Sequence, residues 1–156
     1  QGQVLRVAID PKKWTAKTQE AVAATLDDAR GRSNPAITPD HLMSALLRQD
    51  GTIVPGILQK LGVAPLMLRN KADEAVSKLP HAYGSEEPRM NRELSNVFEN
   101  ADKVRTDLHD DYVSVEHLLL AMLRQQDGGA RSLLTRAGTN IAGLEKAAEA
   151  LRSTPR

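Results

Sequence analysis

The chain has 156 residues, 40% hydrophobic but only 3% aromatic, and its 21 basic against 20 acidic residues leave a net charge of +1. That size suits one compact domain or two tightly packed halves, and a charge so balanced, with no long run of one sign, argues against a nucleic-acid partner. The lack of cysteine excludes disulfides and thiolate chemistry, no apolar stretch approaches the roughly 20 residues that span a bilayer, and the expected setting is cytoplasmic, with no membrane partner.

Residues 1–13 stand apart as an N-terminal arm or an added leader. From Trp14 onward the chain contains itself twice, at a shift of 76 residues that sets Thr38 on Ser114. Between His41–Gln49 and His117–Gln125, six of nine residues are identical. Repeat one spans 14–80 and repeat two spans 90–153, with a breaker-rich linker over 81–89 and the start of a further linker at 154–156. A unit this long is a duplicated helical subdomain rather than one solenoid repeat. Without evident chemistry, such a duplication points to a scaffold or binding module.

Each repeat reads as four helices, giving an all-α fold of about eight helices in two pseudo-twofold repeats. Thr15–Arg30 carries Thr18, Ala21, Val22 and Ala29 on one side, and 91–107 carries Leu94, Val97, Phe98 and Ala101 on one side, the first three at matching positions. The second helices, 39–49 and 115–125, are the most apolar, and Thr38 and Ser114 stand before them as N-caps. Pro39 suits a first helical position. The third helices, about 54–61 and 130–137, stop at Gly62 and Gly138, placed as left-handed residues just past a helix end. The fourth run over 65–78 and 141–152. No strand pair has a convincing alternating pattern.

No phosphate-cradling glycine loop ending in Gly-Lys-Ser/Thr is present, nor a dinucleotide fingerprint, a zinc His-Glu-x-x-His or a nucleophile elbow. The expectation is a binding domain, not an enzyme, with no cofactor and no metal. Asp40-His41 and Glu116-His117 recur at equal positions. The acids either stabilise the helix dipole from its first turn, by roughly 0.3–1 kcal/mol, or mark acidic spots open to a cationic ligand group. The histidines read as rings packed on the helix start and bonded to the nearby loop. Neighbouring side chains diverge by about 100° on a helix, so an acid-His pair is a poor metal chelate. His81 and His109 read as exposed. Val104 either completes the core or lines an apolar groove.

Thr38-Pro39-Asp40-His41-Leu42-Met43 and Ser114-Val115-Glu116-His117-Leu118-Leu119, each with a glycine-stopped short helix and a closing helix behind it, resemble the Clp N-terminal domain family. The resemblance covers 14–153 and is nearest to the ClpB-type disaggregase chaperones, whose first repeats end like Lys78-Leu79-Pro80. It implies a substrate-recognition domain that binds unfolded or aggregated polypeptides for disaggregation in the stress response. On that likeness Thr15, Asp110 and Glu116 handle substrate, Asp40 is the matching acid of repeat one, and Phe98 and Val104 line an apolar groove. Position 100 of that groove is Asn100, a departure from the family's usual apolar residue. The parent would be a hexameric ATPase using ATP and magnesium in modules outside this chain, working with a DnaK-type chaperone system. The isolated domain would be a monomer. An adaptor- or phosphoarginine-binding domain of a ClpC- or ClpA-type unfoldase, or a free-standing adaptor, is the alternative.

Overall fold

The computed structural model describes residues 10–84, 86–126 and 128–152. Most of the expected N-terminal arm and the expected linker start at 154–156 lie outside these residues. Among them are eight helices: α1 (Ala16–Gly31), α2 (Pro39–Arg48), α3 (Val54–Lys60), α4 (Pro65–Ser77), α5 (Arg92–Asp107), α6 (Val115–Leu123), α7 (Gly129–Arg136) and α8 (Ile141–Arg152). A short 3-10 turn over Pro11–Lys13 precedes them.

The first helix of each repeat, α1 and α5, starts on a side-chain cap. The Thr15 hydroxyl accepts the Thr18 N–H at 3.1 Å, and the Asn91 carbonyl oxygen accepts the Leu94 N–H at 2.9 Å. These are the same position in the two repeats, and each satisfies an N–H that the first turn leaves free. Gly62 and Gly138 hold φ of 78° and 103° after α3 and α7, a left-handed setting that costs other residues about 1–2 kcal/mol.

The all-α expectation of eight helices holds, with one small addition. Two strands do form, β1 (Ala36–Ile37) and β2 (Arg89–Met90), paired in parallel with Ile37 opposite Met90. Trp14 pairs likewise with Val113. Two residues are too few for an alternating pattern to register. The pairings are equivalent under the 76-residue shift, down to the Thr15 N–H on the Val113 carbonyl and the Asn91 N–H on the Ile37 carbonyl, both at 3.0 Å. Each repeat therefore docks its entry segment on the other repeat.

The helices repeat this exchange: α3 packs on α8 and α4 on α7. A continuous core runs through both halves, with Leu42, Leu46, Leu58, Leu68, Leu94, Leu118, Leu119 and Leu134 at or below 1% exposure. Neither half could bury its apolar faces alone.

Candidate functional site

His41 and His117 anchor the two buried helices α2 and α6. The Ser114 N–H donates to His117 Nδ1 at 2.8 Å, so Nδ1 is unprotonated and Nε2 carries the proton. Nε2 then donates to Asp110 Oδ2 at 2.7 Å. In repeat one the Thr38 N–H donates to His41 Nδ1 at 3.0 Å, and His41 Nε2 meets Asn34 Oδ1 at 2.9 Å. Both rings are fully buried, and burial holds both below the ordinary histidine pKa. They are structural clamps between a helix start and the preceding loop.

Repeat two adds a charge. Arg152, at the end of α8, pairs with Asp110 Oδ2 at 2.7 Å and with Glu116 Oε2 at 3.4 Å. Burial alone would raise the Asp110 carboxyl, but its bonds from Arg152 and His117 outweigh it and hold it below the usual range. Glu116 is only 6% exposed yet stands at the edge of two depressions. One, of about 570 Å³, is bordered by Thr15, Lys17, Thr52, Ile53, Ser114 and Arg152. The other, of about 550 Å³, is lined by the exposed Leu108, with the nearly buried Leu120 and Ala148 beneath, and by Glu116, Glu145 and Arg152. The Glu116–Arg152 pair is the wall they share.

The apolar depression arises from a broken symmetry. In repeat one α4 lies tightly along α2, tied by the Ser44 hydroxyl donating to Asp73 Oδ1 at 2.6 Å. Leu120 and Glu149 replace these two residues in repeat two, and α8 meets α6 much more loosely. The gap between α6 and α8 is the groove.

Of the residues expected from the sequence, Thr15, Asp110 and Glu116 are thus brought to one surface. Asp40 is not: it occupies the equivalent junction in the other half, against Gly129. Burial, with Glu93 adding to it, pushes its carboxyl up to about 6. Phe98 and Val104, expected to line a groove, are corrected. They are 4% and 0% exposed, and Phe98 stacks on Trp14 with ring centroids 5.7 Å apart. Their spacing on α5 is that of its buried face. Sequence reasoning missed Arg152, Leu108, Leu120 and Ala148. Arg152 had a signal, being a charge where repeat one has Val76.

The fold and this site define the class. Residues 13–153 match the family described as Clp repeat (R) N-terminal domain, and the chain belongs to it. Curated relatives that it matches include ClpB chaperone proteins. The ClpB of Corynebacterium diphtheriae is 39% identical over 127 residues, 80% of this chain and 15% of that protein. The ClpB of Mycobacterium leprae is 36% identical over 143 residues, 91% of this chain and 17% of that protein. The chain thus spans about a sixth of the length of these relatives. The Candida albicans Hsp104 N-terminal domain shares the fold at TM-score 0.78 and 19% identity, covering 92% of this chain and 94% of that one. So does the Vibrio cholerae ClpV N-domain, at TM-score 0.77 and 18% identity, covering 94% and 92%. No described helix is long and apolar enough to cross a membrane.

Proposed function

We propose that this domain recognises substrates for a ClpB-type disaggregase, capturing exposed segments of unfolded or aggregated polypeptides. The observation that carries the reading is the α6–α8 groove, where the exposed Leu108 is edged by Glu116, Glu145 and Arg152. An apolar side chain laid there gains roughly 25 cal/mol per Å² of surface removed from water. The acidic rim favours segments that carry a basic residue beside the apolar ones. A shallow site and a flexible ligand make binding weak, because ordering the ligand costs free energy. Several copies in an oligomeric parent would compensate by avidity. A solved complex of the ClpV N-domain with a VipB peptide, at TM-score 0.70, supports peptide binding as something this fold can do.

The domain on this reading contributes binding and no catalysis; ATP and magnesium belong to the parent's other modules. The test titrates the chain with a labelled, permanently unfolded protein. Glu116→Ala and Leu108→Ser should each weaken binding by about threefold to tenfold, or about 0.7–1.4 kcal/mol, with unchanged circular dichroism. A parallel titration with a phosphoarginine peptide checks the ClpC- or ClpA-type alternative, since tight binding of that peptide alone points to the protease-linked branch and binding of neither to an adaptor-docking domain.

A further inference from the structure

We propose that Arg152 is an internal stand-in for an arginine of the captured polypeptide, which displaces it from Asp110 and Glu116 and so joins the two depressions into one trough. The inference rests on the polypeptide-capture reading and deepens it, by naming the side chain that decides which segments the full surface accepts.

The acids of this surface are already paired. Arg152 Nη2 lies 2.7 Å from Asp110 Oδ2 and its Nε 3.4 Å from Glu116 Oε2, and Arg124 holds Glu145 at 3.0 Å. A basic residue of a ligand therefore gains Asp110 or Glu116 only by exchange. The contacts single out Arg152 as the group that leaves. It is the last described residue of α8, and its side chain is 34% exposed. Its 3.4 Å contact is longer than the about 2.7–2.9 Å of a charge-assisted hydrogen bond. Asp110 keeps a partner when Arg152 goes, because His117 Nε2 donates to the same Oδ2 at 2.7 Å.

Glu116 does not keep one. Arg152 is its one ion-pair partner among the described residues, and a nearly buried carboxylate stripped of its cation is costly. The wall therefore opens only for a segment that brings its own cation, and a neutral apolar segment stays within the α6–α8 depression. The two acceptor oxygens belong to different residues. A planar guanidinium bridges them, where a lysine ammonium acts as a single point of charge, so arginine is favoured over lysine. Both depressions are lined by Glu116 and Arg152, so moving Arg152 connects the Leu108 side to the Ile53 side. Lys17, at the border on the Ile53 side, is turned to Glu20 at 3.5 Å. Repeat one has no such exchange: under the 76-residue shift the fully buried Val76 stands at the Arg152 position and Asn34 at that of Asp110.

The experiment titrates the 156-residue chain with a short labelled peptide of leucines around one arginine, and with its twin carrying neutral citrulline. Arg152→Gln should bind the arginine peptide about threefold to tenfold more tightly than the parent chain does, and the citrulline peptide equally. Adding Glu116→Gln to it should abolish the gain. Lys146→Gln, a charge-matched change at an exposed position of α8, should produce none. On the unaltered chain, the Arg152 Nε–H resonance should shift with the arginine peptide and stay in place with the citrulline one, which tests the exchange without any variant. Weaker or equal binding of the arginine peptide by Arg152→Gln, or the same Arg152 shift from both peptides, would overturn the exchange while leaving polypeptide capture standing. Binding of neither peptide by either chain would overturn the capture reading as well.

Discussion

His117→Ala lowers the stability of this domain by about 3 kcal/mol, far more than its place in a polar pair with Glu116 suggests. The ring is fully buried and holds three things together: the Ser114 N–H, the Asp110 carboxylate and the start of α6. Its removal leaves a buried donor unsatisfied, which costs about 1–3 kcal/mol, and adds a cavity. Urea unfolding measures the loss. The same clamp sets a pH dependence. Burial depresses the folded-state pKa of His117 below that of the unfolded chain. The unfolded state therefore binds more protons as pH falls below about 6.5, and stability drops with acid at up to about 1.4 kcal/mol per pH unit. Above that pH the contribution is fully present. Titrating His117 by NMR should show the neutral ring, protonated at Nε2, persisting below pH 6.5; an ordinary histidine titration would contradict the clamp.

Phe98→Ala costs about 4 kcal/mol, and it does so without touching the groove. The side chain is 4% exposed and stacks at 21° on Trp14, which itself seals the entry of repeat one against Val113. Cavity formation accounts for most of the loss, and the ring pair adds about 0.5–1.5 kcal/mol. At roughly 2–4 °C per kcal/mol for a chain of this size, the melting temperature falls by about 8–16 °C. Below its own transition the variant should bind unfolded polypeptide as the parent chain does. Loss of binding with an unchanged melting temperature would show instead that Phe98 reaches the surface.

The helices were legible because their signals are local. Thr15, Ser114 and Pro39 mark starts, Gly62 and Gly138 mark ends, and the 76-residue echo supplies each reading twice. The strand pairs were not legible, since Trp14 meets Val113 and Ile37 meets Met90 only through the exchange of entry segments between repeats. Thr15, Asp110 and Glu116 could be placed in one region by likeness to the family. What joins them is Arg152, 36 positions beyond Glu116 and contributed by a helix whose distance from α6 no spacing encodes. Phe98 and Val104 failed as groove residues because periodicity identifies an apolar face without saying what covers it. Leu120 was invisible because it looks like core and is core, 1% exposed, and only the loose seat of α8 sets it at the bottom of the groove.

The most direct test of the central claim is amide chemical-shift mapping of the chain during titration with a permanently unfolded, unlabelled polypeptide. The account predicts that perturbations centre on Leu108, Glu116, Leu120, Ala148 and Arg152, extend to Thr15, and spare α4 and the 81–89 segment. Perturbations concentrated on α4 or on 81–89, with the α6–α8 groove silent, would contradict it.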